Sequence, residues 1–192
     1  MDSYVNKEHP FARDHVIFEK EFVELAKKHG LTMTDMSYHH LYPDPIKAKL
    51  RNNTSPVSIL VRTTPDFLCF DDGSYYELKT GTSLIHLNLE AYPFMANLIR
   101  HRELGIPCAY VYKGAITNNE IVMCDVDWIQ PQTLVIPKDD KNNAIKDKLK
   151  EFFQCICVER ERSKIFSNDA YIDIPAEQVQ KWLTPDEYWK RA

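Results

Sequence analysis

The stretch from Thr64-Pro65-Asp66 to Tyr76-Glu77-Leu78-Lys79 constrains this chain more than any other. Between its halves lies Asp71-Asp72-Gly73-Ser74, a tight-turn signal because Asp-Gly tolerates the positive φ that hairpin turns demand. With the turn centred on Asp72-Gly73, pairing runs outward from 71 with 74, and Asp66 falls opposite Lys79. Side chains alternate faces along a strand, so Glu77 and Lys79 share a face, and in this register Asp66 joins them. Two carboxylates and one ammonium therefore converge at the end of a hairpin, as in a divalent-metal site with a cation beside it.

The chain has 192 residues, 27% charged and 44% apolar, ordinary proportions for one globular domain with room for a core. We expect a single domain over 1–192, with a core at about 14–126 and a C-terminal extension at about 127–192. No apolar run approaches the roughly 20 residues of a membrane span, and the N-terminus carries no apolar signal core. Five cysteines, an odd number, indicate a reduced, cytoplasmic protein with no membrane partner. Cys155-x-Cys157 is too close for zinc spacing and reads as two core cysteines in a helix. The net charge of −4 is unlike that of a dedicated non-specific DNA binder, but acids neutralised by a bound metal count toward that sum. Positive charge clusters at Lys47, Lys49, Arg51 and Arg62 before the hairpin and at Arg100 and Arg102 after it, where it could hold phosphates.

Periodicity predicts an amphipathic helix over 14–29, with Val16, Phe22, Val23 and Ala26 on the buried stripe, Phe18 and Leu25 widening it, and Gly30 as its stop. Residues 31–56 are turn-rich and read as a loop over the site. Val57–Val61 is β-branched and predicts a strand. Hairpin strands follow at roughly 66–70 and 75–80, then a helix over 84–104 that Pro93 starts or kinks. Strands are expected at 108–112 and 120–126, and a helix at 140–162 carrying Ile145, Leu149, Phe152, Phe153 and Ile156. Short pieces follow Ile174-Pro175 and Thr184. The expected class is α/β: helix, three-strand meander, helix, strand, with a partly helical C-terminal extension.

The chain holds its own control. Thr184-Pro185-Asp186-Glu187 repeats Pro-Asp without a following Glu-x-Lys, and Thr184 as N-cap with Glu187 three residues on makes it a structural helix start.

Pro65-Asp66, ten intervening residues and Glu77-Leu78-Lys79, inside that order of elements, resemble the PD-(D/E)XK nuclease superfamily over roughly residues 14–113. The superfamily includes Holliday-junction resolvases, restriction endonucleases and repair exonucleases. The resemblance implies a restriction-endonuclease-like core and Mg²⁺-dependent hydrolysis of phosphodiesters in DNA, with Mn²⁺ as a substitute. Asp66, Glu77 and the Leu78 carbonyl would hold the metal. Lys79 would orient or deprotonate the water, or stabilise the transition state. The run Phe18-Glu19-Lys20-Glu21-Phe22-Val23 is similar to the resolvases' first-helix run and singles out Glu19 as a further ligand. The gap from Glu19 to Asp66 is longer than in a minimal resolvase. Asn88 and Tyr92, one helical turn apart with Glu90 between, partly match the exonucleases' helix after Glu-x-Lys and are candidate nucleic-acid contacts beside Lys47, Lys49, Arg51 and Arg62.

The seven histidines, His39-His40 and His86 among them, form no recognisable ligand set and read as surface or packing residues. Two alternatives stay open. One is an RNA endonuclease of the same fold; that group's usual first-helix histidine has no firm counterpart, although His15 lies four residues before Glu19. The other is a silent nuclease-like module that binds nucleic acid or protein. A homodimer would suit paired cuts, and the apolar stripe of the 140–160 helix offers one surface for it.

Overall fold

The computed structural model describes residues 10–51, 53, 55–137, 143–160 and 170–191. Helix α1 (Pro10–Lys28) leads into β1 (Met33–Asp35), then three short helices, α2 (Tyr38–Leu41), α3 (Asp44–Arg51) and α4 (Pro56–Arg62). The hairpin β2 (Phe67–Cys69) and β3 (Tyr75–Gly81) follows, then β4 (His86–Glu90), α5 (Ala91–Leu104), β5 (Cys108–Gly114) and β6 (Ile121–Asp125). The last third holds β7 (Thr133–Pro137), α6 (Asn143–Phe153), β8 (Ile156–Arg160), β9 (Tyr171–Pro175), α7 (Ala176–Val179) and α8 (Pro185–Trp189).

Among the described residues the strands form two sheets. The first runs β1-β2-β3-β5-β6, antiparallel except where β3 meets β5 in parallel after the α5 crossover. A parallel pair needs such a crossover, because a tight turn can join only antiparallel neighbours. The expected core order of helix, three strands, helix, strand is therefore present in this α/β chain.

Its first strand is not the expected one. Val57–Val61 lies inside α4, and β1 opens the meander instead. The β-branched residues here join a seven-residue helix that tertiary contacts outweigh propensity to form. The loop expected over 31–56 carries β1 and two short helices. The predicted 84–104 helix begins only at Ala91, which puts Pro93 in the first turn, where a missing N–H costs nothing. Its expected first turns are β4, in the second sheet. The predicted 140–162 helix ends at Phe153, and Cys157 sits in β8 with Cys155 just before it, rather than both in a helix.

The second sheet, β4-β9-β7-β8, takes one strand from the core and three from the extension. The extension is partly helical, as expected, and where described it also supplies three strands that close one face of the first sheet. Leu89, Phe94, Tyr110, Leu134, Ile136 and Ile172 share that core. On the opposite face Phe18 and Phe22 of α1 pack on Tyr76, Leu78, Val111 and Met123, with Trp189 of α8 beside them. The buried stripe of α1 is Phe18, Phe22 and Ala26, at a spacing of four, and Val16 is exposed. Helix α8 starts with the capping box expected at Thr184 and Glu187.

Candidate functional site

The hairpin loop spans Phe70–Gly73. Cys69 N–H donates to the Ser74 carbonyl at 2.8 Å, and Gly73 takes φ +74°. Phe67 pairs with Tyr76, a register two residues from the ideal one, which carries Asp66 opposite Glu77 rather than Lys79. A shift of two preserves facing, so Asp66, Glu77 and Lys79 keep a common side. The Leu78 side chain is buried on the other side, while its N–H donates to Asp66 Oδ2 at 2.8 Å. The Asp66 carbonyl accepts from Met36 N–H at 2.7 Å, fixing the Pro-Asp turn against the end of β1.

Helix α1 supplies the rest. His15 and Glu19 are one turn apart on α1, so they share a face of the helix. His15 Nε2 lies 3.4 Å from Glu19 Oε1, and donor atoms of His15, Glu19 and Asp66 all fall within 4.8 Å of one another. Beside them Lys79 Nζ contacts Glu77 Oε1 at 2.8 Å and Glu90 Oε2 at 3.5 Å.

The electrostatics follow from crowding acids in a buried place. Burial is the main force raising the Asp66 carboxyl to about 6, with Glu19 and Asp35 pushing the same way and Lys79 and the Leu78 N–H resisting. Burial likewise raises Glu77 to about 7 against the pull of Lys79. Burial opposes the charge on Lys79, but Glu77, Glu90 and Asp66 together outweigh it and lift its pKa well above the ordinary lysine value. Burial lowers His15, partly offset by Glu19, so its imidazole is neutral and able to ligate near neutral pH.

The remaining predicted residues are dispersed. Lys47 is buried, with Nζ on Asp44 at 2.6 Å and the His39 carbonyl at 3.3 Å, and so braces α2 against α3. Lys49 is exposed and Arg62 half-buried; the Arg51 side chain lies outside the described residues. Asn88 is exposed on β4 opposite Asp173, whereas Tyr92 lies in the first turn of α5 against the larger core. They do not share a helix face, and the exonuclease-like spacing does not hold. Sequence reasoning gave His15 no site role, although its i,i+4 spacing to Glu19 was the available signal. It also missed the pair between His40 Nδ1 and Asp35 Oδ2, 2.6 Å apart. No local pattern links the strand β1 to α2 in advance.

No protein-family model matches this chain. No curated protein matches it. Among solved structures, that of Hjc, a Holliday junction resolvase from the archaeal hyperthermophile Archaeoglobus fulgidus, is 12% identical, covering 90% of this chain and 98% of that one at a TM-score of 0.47. An overlap of that size carries no argument here.

Proposed function

We propose that this chain is a metal-dependent nuclease of the PD-(D/E)XK type that hydrolyses phosphodiester bonds in DNA. The observation that carries the proposal is the meeting of the His15, Glu19 and Asp66 donor atoms beside a Lys79–Glu77 pair. The donor set fits a hard divalent cation. Carboxylate oxygens suit Mg²⁺ and Mn²⁺, and one imidazole shifts the preference toward Mn²⁺. Glu19, Asp66 and His15 would hold the ion, with Glu77 and the Leu78 carbonyl as the further ligands the motif implies. When bound, the ion neutralises phosphate charge and makes a water easier to deprotonate.

The chain's own residues do the rest. Asp66 is held in place by the Leu78 N–H, so the carboxylate meets a ligand without reorganising. Lys79 is kept charged by its acidic neighbours. That supports a role in stabilising the extra negative charge of the transition state, rather than that of a base. Glu77 and Glu90 orient the ammonium.

His15 beside Glu19 and Asp66 favours a second reading, an RNA endonuclease of the same fold, since a first-helix histidine is that group's mark. One experiment tests both. The purified protein is incubated with single-stranded DNA, duplex DNA, a four-way junction and RNA, each with Mg²⁺, Mn²⁺ or EDTA. DNA cutting that needs metal supports the proposal. Cutting of RNA in preference selects the second reading, and binding without cutting under every condition overturns both in favour of a binding module.

A further inference from the structure

Arg100 belongs to the basic cluster that follows the hairpin, but it points inward. It is 8% exposed, with Nη1 donating to the Thr63 carbonyl at 2.7 Å and to Asn97 Oδ1 at 2.8 Å, and Nη2 donating to the Leu60 carbonyl at 2.9 Å. Among the described residues no carboxylate pairs with it. An arginine does not shed its proton, and a buried cation without a counter-ion is costly. Such a residue is ill-suited to filling a core.

Its partners explain the position. Leu60 lies in the last turn of α4 and Thr63 just beyond it, where helix carbonyls have no partner within the helix. From Thr63 the chain runs through Thr64 and Pro65 straight to Asp66, with no room to absorb a displaced helix end. On its other side Arg100 grips Asn97, whose Nδ2 lies 3.5 Å from the Tyr110 hydroxyl. Tyr110 is the register partner of Glu77 across β3 and β5. One buried guanidinium thus spans the backbone that delivers one acid of the site and the helix packed beside the strand that carries another.

We infer that Arg100 is a positioning residue of the site: from α5 it clamps the end of α4 and so sets where Asp66 stands relative to β3. The inference rests on the nuclease reading for its consequence but not for its geometry. Residues that orient metal ligands without touching the metal commonly change affinity by about 10- to 100-fold when removed.

The test uses the full chain as wild type, Arg100→Met and Arg100→Lys, with Gln178→Ala as a control that loses two hydrogen bonds to Gln130 beside the second sheet. Two quantities are measured: amide exchange at Leu78 in metal-free protein, which reports whether Asp66 still accepts its hydrogen bond, and Mn²⁺ affinity by calorimetry. Arg100→Met is expected to speed Leu78 exchange at least about tenfold and weaken Mn²⁺ binding about 10- to 100-fold. Arg100→Lys, able to reach one carbonyl but not both, falls between, and Gln178→Ala moves neither. Wild-type exchange and affinity in Arg100→Met overturn the inference; if that variant does not fold, the same result in Arg100→Lys does. A wild-type protein that binds no Mn²⁺ overturns the nuclease reading instead, and Leu78 exchange still decides the clamp.

Discussion

Asp66 and Glu77 hold their protons more tightly in the folded chain than in the unfolded one. Their pKa values rise from 3.8 and 4.5 to about 6 and about 7. Each acid therefore favours folding fully below its ordinary value, and that contribution is lost as the pH climbs through the raised one. Metal-free protein should melt at a lower temperature at pH 8 than at pH 5, by the equivalent of a few kcal/mol. In Glu77→Gln the difference should shrink, and Mn²⁺ added at pH 8 should restore stability to the wild type. A melting temperature independent of pH and metal would contradict this picture of the site. The shared face of the three motif residues was legible in the sequence because strand alternation fixes it without any knowledge of the register. His15 was not, because a histidine one turn from a glutamate on a helix is ordinary until the hairpin is seen against it. With His15 on the site, Mn²⁺ should bind more tightly than Mg²⁺, and His15→Ala should narrow that gap; an unchanged ratio by calorimetry would remove His15 from the ligand set.

At the scale of elements, α1 is the piece that both builds the core and feeds the site. Phe22 is fully buried, with ring centroids 5.7 Å from Phe67, 5.5 Å from Tyr76 and 6.0 Å from Trp189. Phe22→Ala should cost about 3–5 kcal/mol in denaturant unfolding and loosen His15 and Glu19 together. The strands β3 and β5 close on each other at Gly81 and Gly114, where a Cβ on Gly114 would collide with the Gly81 carbonyl and the Tyr112 hydroxyl. Gly114→Ala is therefore expected to lower the melting temperature sharply, while Gly73→Ala, in open space but at positive φ, should cost far less. Elements with their own local signals were legible: the hairpin by Asp-Gly, α8 by its capping box, and β5 and β6 by their apolar runs. Val57–Val61 misled because a short β-branched run does not by itself separate strand from helix; the local signals of α4 were Ser55, whose Oγ accepts from Ser58 N–H at 3.3 Å, and Pro56 at the first helical position. The start of the long 84–104 pattern misled as well: β4 pairs with β9, and no local rule announces a partner more than 80 residues ahead.

On the scale of the whole molecule, the site lies at the edge where the first sheet's meander meets α1, and the second sheet backs it. Tyr110 and Leu89 sit in the core that this second sheet completes, directly behind the strand carrying Glu77 and Lys79. The last third of the chain is thus the rear wall that keeps that strand buried, and burial is what raises the pKa of Glu77. Three strands of this second sheet, β7, β8 and β9, pair with one another within residues 127–192, and the core adds only the edge strand β4, a partner that residues 127–192 alone do not show. No helix among the described residues is long and apolar enough to cross a membrane. The central claim is that Lys79 and its acids form a metal-dependent phosphodiester-cutting site. Single-turnover cleavage of the preferred substrate by wild type and Lys79→Met, in saturating Mn²⁺, tests it most directly. The account predicts a loss of about 10²- to 10³-fold in the variant with Mn²⁺ affinity not weakened. Cutting that survives the loss of Lys79, or a folded wild type that cuts nothing with any divalent ion, would contradict it.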